Sequence, residues 1–269
     1  MLLRLLCISL FTISGALAQN ALNYTGARSW GMGNAMVALP NHQSFFGNPA
    51  GLAFLDGTSV SSSYDSRFEV ADLNTVSITA LRATKGFAVS VGAERFGDRR
   101  YNETKIGLAL AKSTGRVALG VKASYLGAVA ENYTSTGTLY TEFAVLAKLH
   151  PSVQLGFLAK NITGARWFAS DPLPTELILG GAFSPTRQIL LTADAGYIPG
   201  VRWSFRSGLE YALKEQLFLR TGINPVLKTN HFGVGYAFNP WTLDYAVNTH
   251  PSLGLSHHLS LNFNLEKKP

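Results

Sequence analysis

Apolar residues alternate with polar or small residues in one segment after another between residues 58 and 265. Residues 116–125 show the pattern most clearly, because apolar side chains at Val117, Leu119 and Val121 alternate with polar or small ones. An alternation with a period of two residues predicts a β-strand that is apolar on one face only. No stretch after residue 58 shows a helical period.

Counting these segments predicts about 14 strands, and the connections between them alternate in length. Residues typical of tight turns occupy every second connection, for example 113–115 and 239–240. Most of the other connections are longer, notably 128–138 and 162–174. Outer-membrane barrels have this arrangement, with the short turns on the periplasmic side. The predicted strands are 58–67, 73–83, 87–96, 101–112, 116–127, 139–149, 152–161, 175–183, 188–198, 201–212, 216–223, 231–238, 240–248 and 255–265.

The polar faces of these strands favour a membrane barrel over a soluble β-sandwich or lipocalin, in which the apolar face points inward. Here the polar faces carry charges of both signs, the apolar faces end in aromatic residues, and only 14% of all residues are charged. The fold class is therefore predicted to be all-β, a transmembrane antiparallel β-barrel of about 14 strands in a Gram-negative outer membrane. Its apolar faces would contact outer-membrane lipid, and its polar faces would line the lumen.

Residues 1–18 have the pattern of an export signal, with Arg4 before an apolar stretch and the small residues Ala16 and Ala18 at a cleavage site. The only cysteine, Cys7, lies inside this signal, so the mature chain is expected to need no disulfide. The net charge of +7 is a weak indication, since scattered basic residues suit a lumenal surface better than a nucleic-acid patch. No nucleic-acid partner is predicted.

Residues 19–57 differ from the rest of the chain, because they are glycine-rich, irregular and almost uncharged. The simpler interpretation is a flexible periplasmic tail. However, the segment carries many large apolar side chains, including Trp30, Phe45 and Phe46, which favour burial. We therefore predict a plug (hatch) in the lumen, which divides the chain into a signal peptide (1–18), a plug (19–57) and a barrel (58–269).

Three short stretches of this segment resemble the N-terminal signature of the FadL-like outer-membrane barrels, and most closely the PorV/PorQ branch associated with type IX secretion. Close similarity covers about 30 residues; the rest of the chain is similar only in architecture. One departure is that this chain is shorter than typical members, so long extracellular loops are largely absent. The stretches are 26–35 (GARSWGMGNA), 38–39 (AL) and 48–53 (NPAGLA).

The resemblance implies a 14-stranded barrel with a hatch in its lumen, and it implies roles for particular residues. Asn48, Pro49 and Ala50 would form the hatch element that lies against the inner wall, where FadL-type channels open sideways. Gly51 would allow close approach to a strand. Gly31 and Gly33 would allow tight turns in a crowded lumen. The alternative is that these residues only fold the plug and touch no ligand.

The lumen is also predicted to hold a network of opposite charges, because isolated charges in a narrow interior would be costly. No nucleophile elbow, metal-ligand spacing or phosphate-binding loop occurs, so neither an enzyme nor a cofactor is predicted. The network residues are Glu94, Lys122, Glu142, Asp194, Arg202, Arg206, Glu210 and Arg220.

Two functions remain open at this point. The first, implied by the PorV/PorQ-like resemblance, is an accessory subunit of a larger outer-membrane complex for protein secretion or assembly. The second, implied by the FadL-like resemblance, is a passive channel whose ligand is a small hydrophobic molecule or lipid. Short loops and a charged lumen favour the first, since among the predicted inward positions only four are large and apolar. These four are Leu146, Ile178, Leu190 and Phe218.

Overall fold

A computed structural model describes residues 24–168 and 171–265, so the predicted signal peptide and the first residues of the predicted plug lie outside the described residues. Fourteen antiparallel strands form a closed barrel, which confirms the predicted fold class. A separate two-stranded sheet, β8 (Arg166–Phe168) and β9 (Asp171–Pro172), lies between the seventh and eighth barrel strands. The barrel strands are β1 (Gly57–Ser66), β2 (Asn74–Thr84), β3 (Phe87–Gly97), β4 (Tyr101–Thr114), β5 (Val117–Ala130), β6 (Thr134–His150), β7 (Val153–Lys160), β10 (Glu176–Phe183), β11 (Ile189–Ile198), β12 (Arg202–Lys214), β13 (Leu217–Asn224), β14 (Thr229–Phe238), β15 (Trp241–His250) and β16 (Gly254–Asn264).

The main difference from the predicted boundaries lies between β5 and β6. Residues 128–138, predicted as a loop, mostly continue these two strands, and only residues 131–133 connect them. The flanking residues are small, β-branched or threonine, so they extend the ladder of cross-strand pairs. The predicted loop 162–174 contains the β8–β9 hairpin.

The two faces of the barrel wall have opposite chemistry. Outward residues such as Val91, Val121 and Val234 are apolar and exposed, while the inward residues of the same strands are buried and largely polar or small. A closed antiparallel barrel with an apolar outer surface is the architecture of Gram-negative outer-membrane proteins. Exposed aromatic residues lie outward towards both ends: Tyr64, Tyr125, Trp203 and Tyr245 at one end, and Phe87, Phe183, Tyr236 and Phe238 at the other.

The connections define two ends of the barrel. At the turn end, β2–β3, β4–β5 and the pairs that follow are joined by connections as short as 85–86, and both β1 and β16 have their free ends here. At the loop end lie connections such as 67–73 and 161–175. Register shifts occur only between Lys148 and His150 and between Ala212 and Lys214 in the described ladder, both at the turn end.

Residues 24–56, here called the N-terminal segment, lie inside the barrel. The segment contains a short helix α1 (Ala27–Gly31) and a 3-10 helix (Pro49–Phe54), and most of its residues are buried. A further 3-10 turn (Ala71–Leu73) lies in the first loop at the loop end. The side chains of the segment pack with inward apolar residues of β2 to β10, such as Leu81 and Leu158, in one hydrophobic cluster.

Among the described residues, no helix is both long enough and apolar enough to cross a membrane.

Candidate functional site

Inward glycines on the barrel wall allow the backbone of the N-terminal segment to approach the strands closely. A side chain at Gly120 would collide with the backbone of Pro49 and Ala50, and one at Gly156 would collide with the carbonyl of Val37. The wall is therefore shaped to receive this segment, because only glycine leaves room for a second backbone at these positions.

The predicted glycines lie where the segment meets the wall, Gly31 at β13 and β14 and Gly33 at β12 and β13. Gly33 has a φ of +63°, in the left-handed region that glycine adopts without strain. A side chain on Gly31 would lie 3.2 Å from the Cα atom of Gly233. The structure thus places both residues in close contact with the wall; a role in ligand passage remains a prediction.

The predicted hatch residues lie against the wall, Pro49 and Ala50 at β5 and Asn48 at β6 and β7. The Asn48 side chain caps the 3-10 helix, because its Oδ1 accepts a hydrogen bond from the Ala50 amide at 3.0 Å. Its Nδ2 donates to the carbonyls of Val37, at 2.7 Å, and of the wall residue Val145, at 3.0 Å. Pro49 begins the helix, and Gly51 lies on the far side of it, close to residues of the segment itself. One side chain therefore joins the segment to the wall.

The wall beside Asn48 is continuous. Val145 and Phe157 are paired in the β6–β7 ladder, and β4, β5, β6 and β7 are paired through this region without a register shift. No gap separates the described strands at the place where the resemblance implies a sideways opening.

Replacing Asn48 with alanine is expected to lower the free energy of barrel unfolding by about 2–3 kcal/mol, because a helix cap and two further hydrogen bonds, one buried and one partly buried, are lost. Asn48→Asp should be worse, since it points a carboxylate oxygen at two carbonyl oxygens. Urea titration followed by heat-modifiable gel mobility measures both. Asn41→Ala is the control, because Asn41 Oδ1 accepts only the Gln43 amide in the same segment. If Asn48→Asp destabilised the barrel less than Asn48→Ala, the hydrogen bond from Asn48 to the wall would contribute little to stability.

The predicted lumenal charges lie in three clusters of ion pairs, and the first and third adjoin because Glu142 and Lys160 are opposite each other on β6 and β7. On the β4–β6 side, Lys122 Nζ lies 2.7 Å from Glu142 and donates to the Phe45 carbonyl of the N-terminal segment at 2.8 Å. Glu94 pairs with Lys105 at 3.7 Å. These lysines neutralise the carboxylates while holding the segment in place.

The second cluster joins α1 to the wall at the turn end. The guanidinium of Arg28 forms two hydrogen bonds with Glu210, at 2.9 and 2.8 Å. Arg220 bonds the same Glu210 at 2.6 Å and also Asp244 at 2.7 Å. Two arginines and two carboxylates thus share charge-assisted bonds in a buried site. The sequence showed that Arg28 is an isolated charge but not that Glu210 is its partner.

The third cluster lies near the loop end. Glu176 pairs with Lys160 at 3.2 Å and with Arg206 at 3.7 Å. Asp194 accepts the backbone amide of Val37 at 3.1 Å. The side chain of Arg202 is outside the described part of the chain. Glu176 was not singled out from the sequence, although it begins a strand on the polar face of the pattern.

A cavity of about 440 Å³, here called the upper cavity, lies in the lumen at the loop end. Its lining combines apolar side chains from the loops, such as Phe68, Leu227 and Leu253, with polar side chains from the strands. This composition suits a small molecule that buries an apolar surface and is oriented by a few polar contacts. The strand and α1 residues that line it include Trp30, Glu176, Ser204, Arg206, Asn224, His231, Asn248 and Ser256.

The side chains of Trp30 and Arg67 give the floor of the upper cavity an aromatic and a cationic group. Trp30 of α1 stacks on His258 with a ring separation of 4.2 Å, and His258 is bonded to Asp65 at 2.7 Å. Arg67 lies 5.6 Å from the Trp30 ring and 5.7 Å from the Phe96 ring. Its Nε and one terminal nitrogen are buried without a hydrogen-bond partner in the described residues. Burial lowers the pKa of the Arg67 guanidinium, against the opposing effect of nearby carboxylates.

More large apolar side chains point into the lumen than the sequence predicted. Many of them pack against the N-terminal segment. Besides Leu146 and Ile178, the buried inward residues include Leu81, Phe96, Leu126 and Leu158.

No protein-family model matches the sequence, and no curated protein matches it. Solved structures share its fold at low sequence identity. The Ralstonia pickettii toluene transporter TbuX aligns with a TM-score of 0.68 and 12% identity, over 91% of this chain and 99% of that chain. The P. putida toluene transporter TodX aligns with a TM-score of 0.70 and 13% identity, over 92% of this chain and 100% of that chain. A Pseudomonas aeruginosa FadL homologue aligns with a TM-score of 0.64 and 12% identity, over 91% of this chain and 99% of that chain.

These likenesses show a FadL-like outer-membrane barrel fold, and they do not single out the PorV/PorQ branch. They also overturn the prediction of an accessory subunit in a larger complex, since the structures that share the fold are named as toluene transporters and a FadL homologue. The reasons for that prediction were incomplete, because the inward apolar residues are more numerous and the lumenal charges are paired. The chain thus has the FadL-like barrel fold, with a ligand-sized cavity at its loop end.

Proposed function

We propose that this protein is a passive outer-membrane channel for small hydrophobic molecules, and that such molecules first bind in the upper cavity. The observation that carries the proposal is this cavity of about 440 Å³, in which apolar loop residues lie beside polar residues of the strands. Small-molecule pockets typically measure about 300–1,000 Å³, and an apolar cavity of about 150 Å³ can hold benzene. A monoaromatic compound would fit.

The fold likeness supports this proposal without establishing it. TbuX and TodX are named toluene transporters, and a third structure with this fold, CymD, is named a monoaromatic hydrocarbon channel. The proposed orientation places the loop end outside the cell, because short turns face the periplasm in barrels of this kind. The upper cavity would then be the entrance.

The proposal includes a plug at residues 19–57 between the signal peptide (1–18) and the barrel (58–269). Support comes from the buried N-terminal segment, from the glycines that receive it, and from its hydrogen bonds to β6 and β11. A plugged lumen restricts passage to molecules that bind in the barrel, and ions are excluded.

Uptake of radiolabelled toluene by intact Gram-negative cells tests the proposed function. Cells that produce the protein should take up toluene faster than cells with an empty vector. Ser204→Trp, which fills the upper cavity, should bring uptake close to the empty-vector rate. Ser207→Trp is the matched control, because Ser207 lies on the outward face of the same strand, β12.

Two results would contradict the channel. One is toluene uptake equal to that of the empty vector, with the folded barrel present in the outer membrane. The other is equal loss of uptake in both tryptophan variants, which would mean that the upper cavity has no special part in it.

A further inference from the structure

A second cavity lies below the upper one, along the same strands. This lower cavity, of about 210 Å³, lies at the turn end and is lined by polar side chains including Arg28, Arg220 and Asp244. Both cavities are bounded by β12, β13, β14, β15 and β16. On β12, for example, Arg206 lines the upper cavity and Glu210 lines the lower one.

The barrier between the two cavities is the N-terminal segment, because the wall residues at this point are small. Gly208 and Gly222 lie between the two cavities on β12 and β13, and a side chain on either would collide with Met32 or Gly33. On β16, Ser260 accepts a hydrogen bond from the Ala27 amide at 3.1 Å. If α1 and the two residues after it, Met32 and Gly33, moved away from these positions, no bulky wall side chain would separate the cavities there.

Two side chains of α1 extend in different directions, one towards each cavity. Ala27, Ser29 and Gly31 are buried, whereas Arg28 lines the lower cavity and Trp30 lines the upper cavity. Arg28 is held by Glu210, and Trp30 is held by its stacking on His258. The helix is therefore fastened once on each side of the barrier.

Two other routes out of the lumen are blocked by described residues. The half of the lumen that faces β2 to β10 is filled by the hydrophobic cluster around Phe45 and Leu52. The wall beside Asn48 is an unbroken ladder of β5, β6 and β7. Opening the wall sideways would break backbone hydrogen bonds in lipid, which costs several kcal/mol for each unsatisfied group. Displacing α1 breaks no strand pairing, because α1 is bonded to side chains of the wall, such as Ser260 and Glu210.

We propose that molecules cross this barrel along its axis, from the upper to the lower cavity, and that α1 is the gate between them, held closed by Arg28 and Trp30. This inference rests on the proposed channel function and adds the path that a molecule takes through the barrel. The exit is a small polar chamber, so the route favours compact molecules over long aliphatic chains.

Reversible cross-linking tests the route. Apart from Cys7 in the predicted signal peptide the chain has no cysteine, so introduced pairs react alone. Ala27→Cys with Ser260→Cys fastens α1 to β16, where the two residues are in contact. Val145→Cys with Phe157→Cys, a matched control on the outward face, fastens β6 to β7 beside Asn48. Paired residues on neighbouring strands have Cβ atoms about 4.5–5.5 Å apart, which a disulfide can bridge with small adjustments.

With toluene as the probe, the oxidised 27–260 pair should abolish uptake, and a reducing agent should restore it. The oxidised 145–157 pair should leave uptake unchanged. Loss of uptake with the 145–157 pair, or uptake that persists with the 27–260 pair oxidised, would overturn the axial route.

Electrical recording tests the gate independently of toluene uptake. In planar bilayers, Arg28→Ala should produce brief current steps that the wild-type barrel lacks, and oxidising the 27–260 pair in that variant should remove them. Arg95→Ala is the control, because Arg95 lies on the outward face of β3. A silent Arg28→Ala barrel would overturn the gate. Absent toluene uptake together with these current steps would reject the hydrophobic-channel function but retain the gate.

Discussion

Deleting residues 24–55 is expected to turn an electrically silent barrel into one that conducts ions through planar bilayers as stable unitary steps. The intact lumen is filled on one side by the cluster around Phe45 and is crossed on the other side by α1. A barrel of 14 strands without this segment encloses a space lined by polar and charged residues, which water and ions enter readily. Single-channel recording of the purified protein measures the change.

A second variant keeps the test decisive if the barrel that lacks residues 24–55 does not fold. Gly120→Leu places a large side chain where Pro49 and Ala50 lie, so it should expel this part of the segment and produce current as well. Gly181→Leu is the matched control, because a Cβ there meets only the Leu155 side chain, at 3.8 Å, on the outer surface. Strong conductance by the wild-type barrel, or silence in both altered barrels, would show that the segment is not a plug.

Val121→Arg is expected to destabilise the barrel by roughly 2–4 kcal/mol, the range for a basic residue at the bilayer midplane of such a barrel. Val121 lies on the outward face of β5 with 51% of its surface exposed, between Leu110 and Phe143 on the neighbouring strands. An arginine there must either leave its charge in the hydrocarbon or bend towards the interface. Urea titration in phospholipid vesicles measures the free energy of unfolding.

The same substitution at Val117 provides the control. Val117 is the first residue of β5, at the turn end, and it is also outward and exposed. Arginine at this depth should cost only about 0–1 kcal/mol, because the guanidinium reaches water. Equal losses at the two positions would mean that the outer surface does not face a bilayer with its midplane near Val121.

The number and order of the barrel strands could be predicted from the sequence because the alternation of residues in each strand reflects its two environments, lipid and lumen. Lipid and lumen impose a period of two residues, which needs no knowledge of the neighbouring strands. The predicted segments 87–96 and 175–183 match β3 (Phe87–Gly97) and β10 (Glu176–Phe183) closely. The 128–138 connection was predicted less well, since small residues and threonines suit either a loop or a strand.

The partners inside the lumen were decided by the tertiary structure alone. Arg28 and Glu210 are 182 positions apart, and Asp65 and His258 are 193 positions apart, so only closure of the barrel brings them together. The single-strand pattern likewise could not show that Gly208 and Gly222 receive the N-terminal segment or that two cavities remain around it. By itself, the sequence determined the barrel and its two faces, because the strand period is a local property. The route through the lumen depends on which distant side chains fill it, and that is a property of the closed barrel.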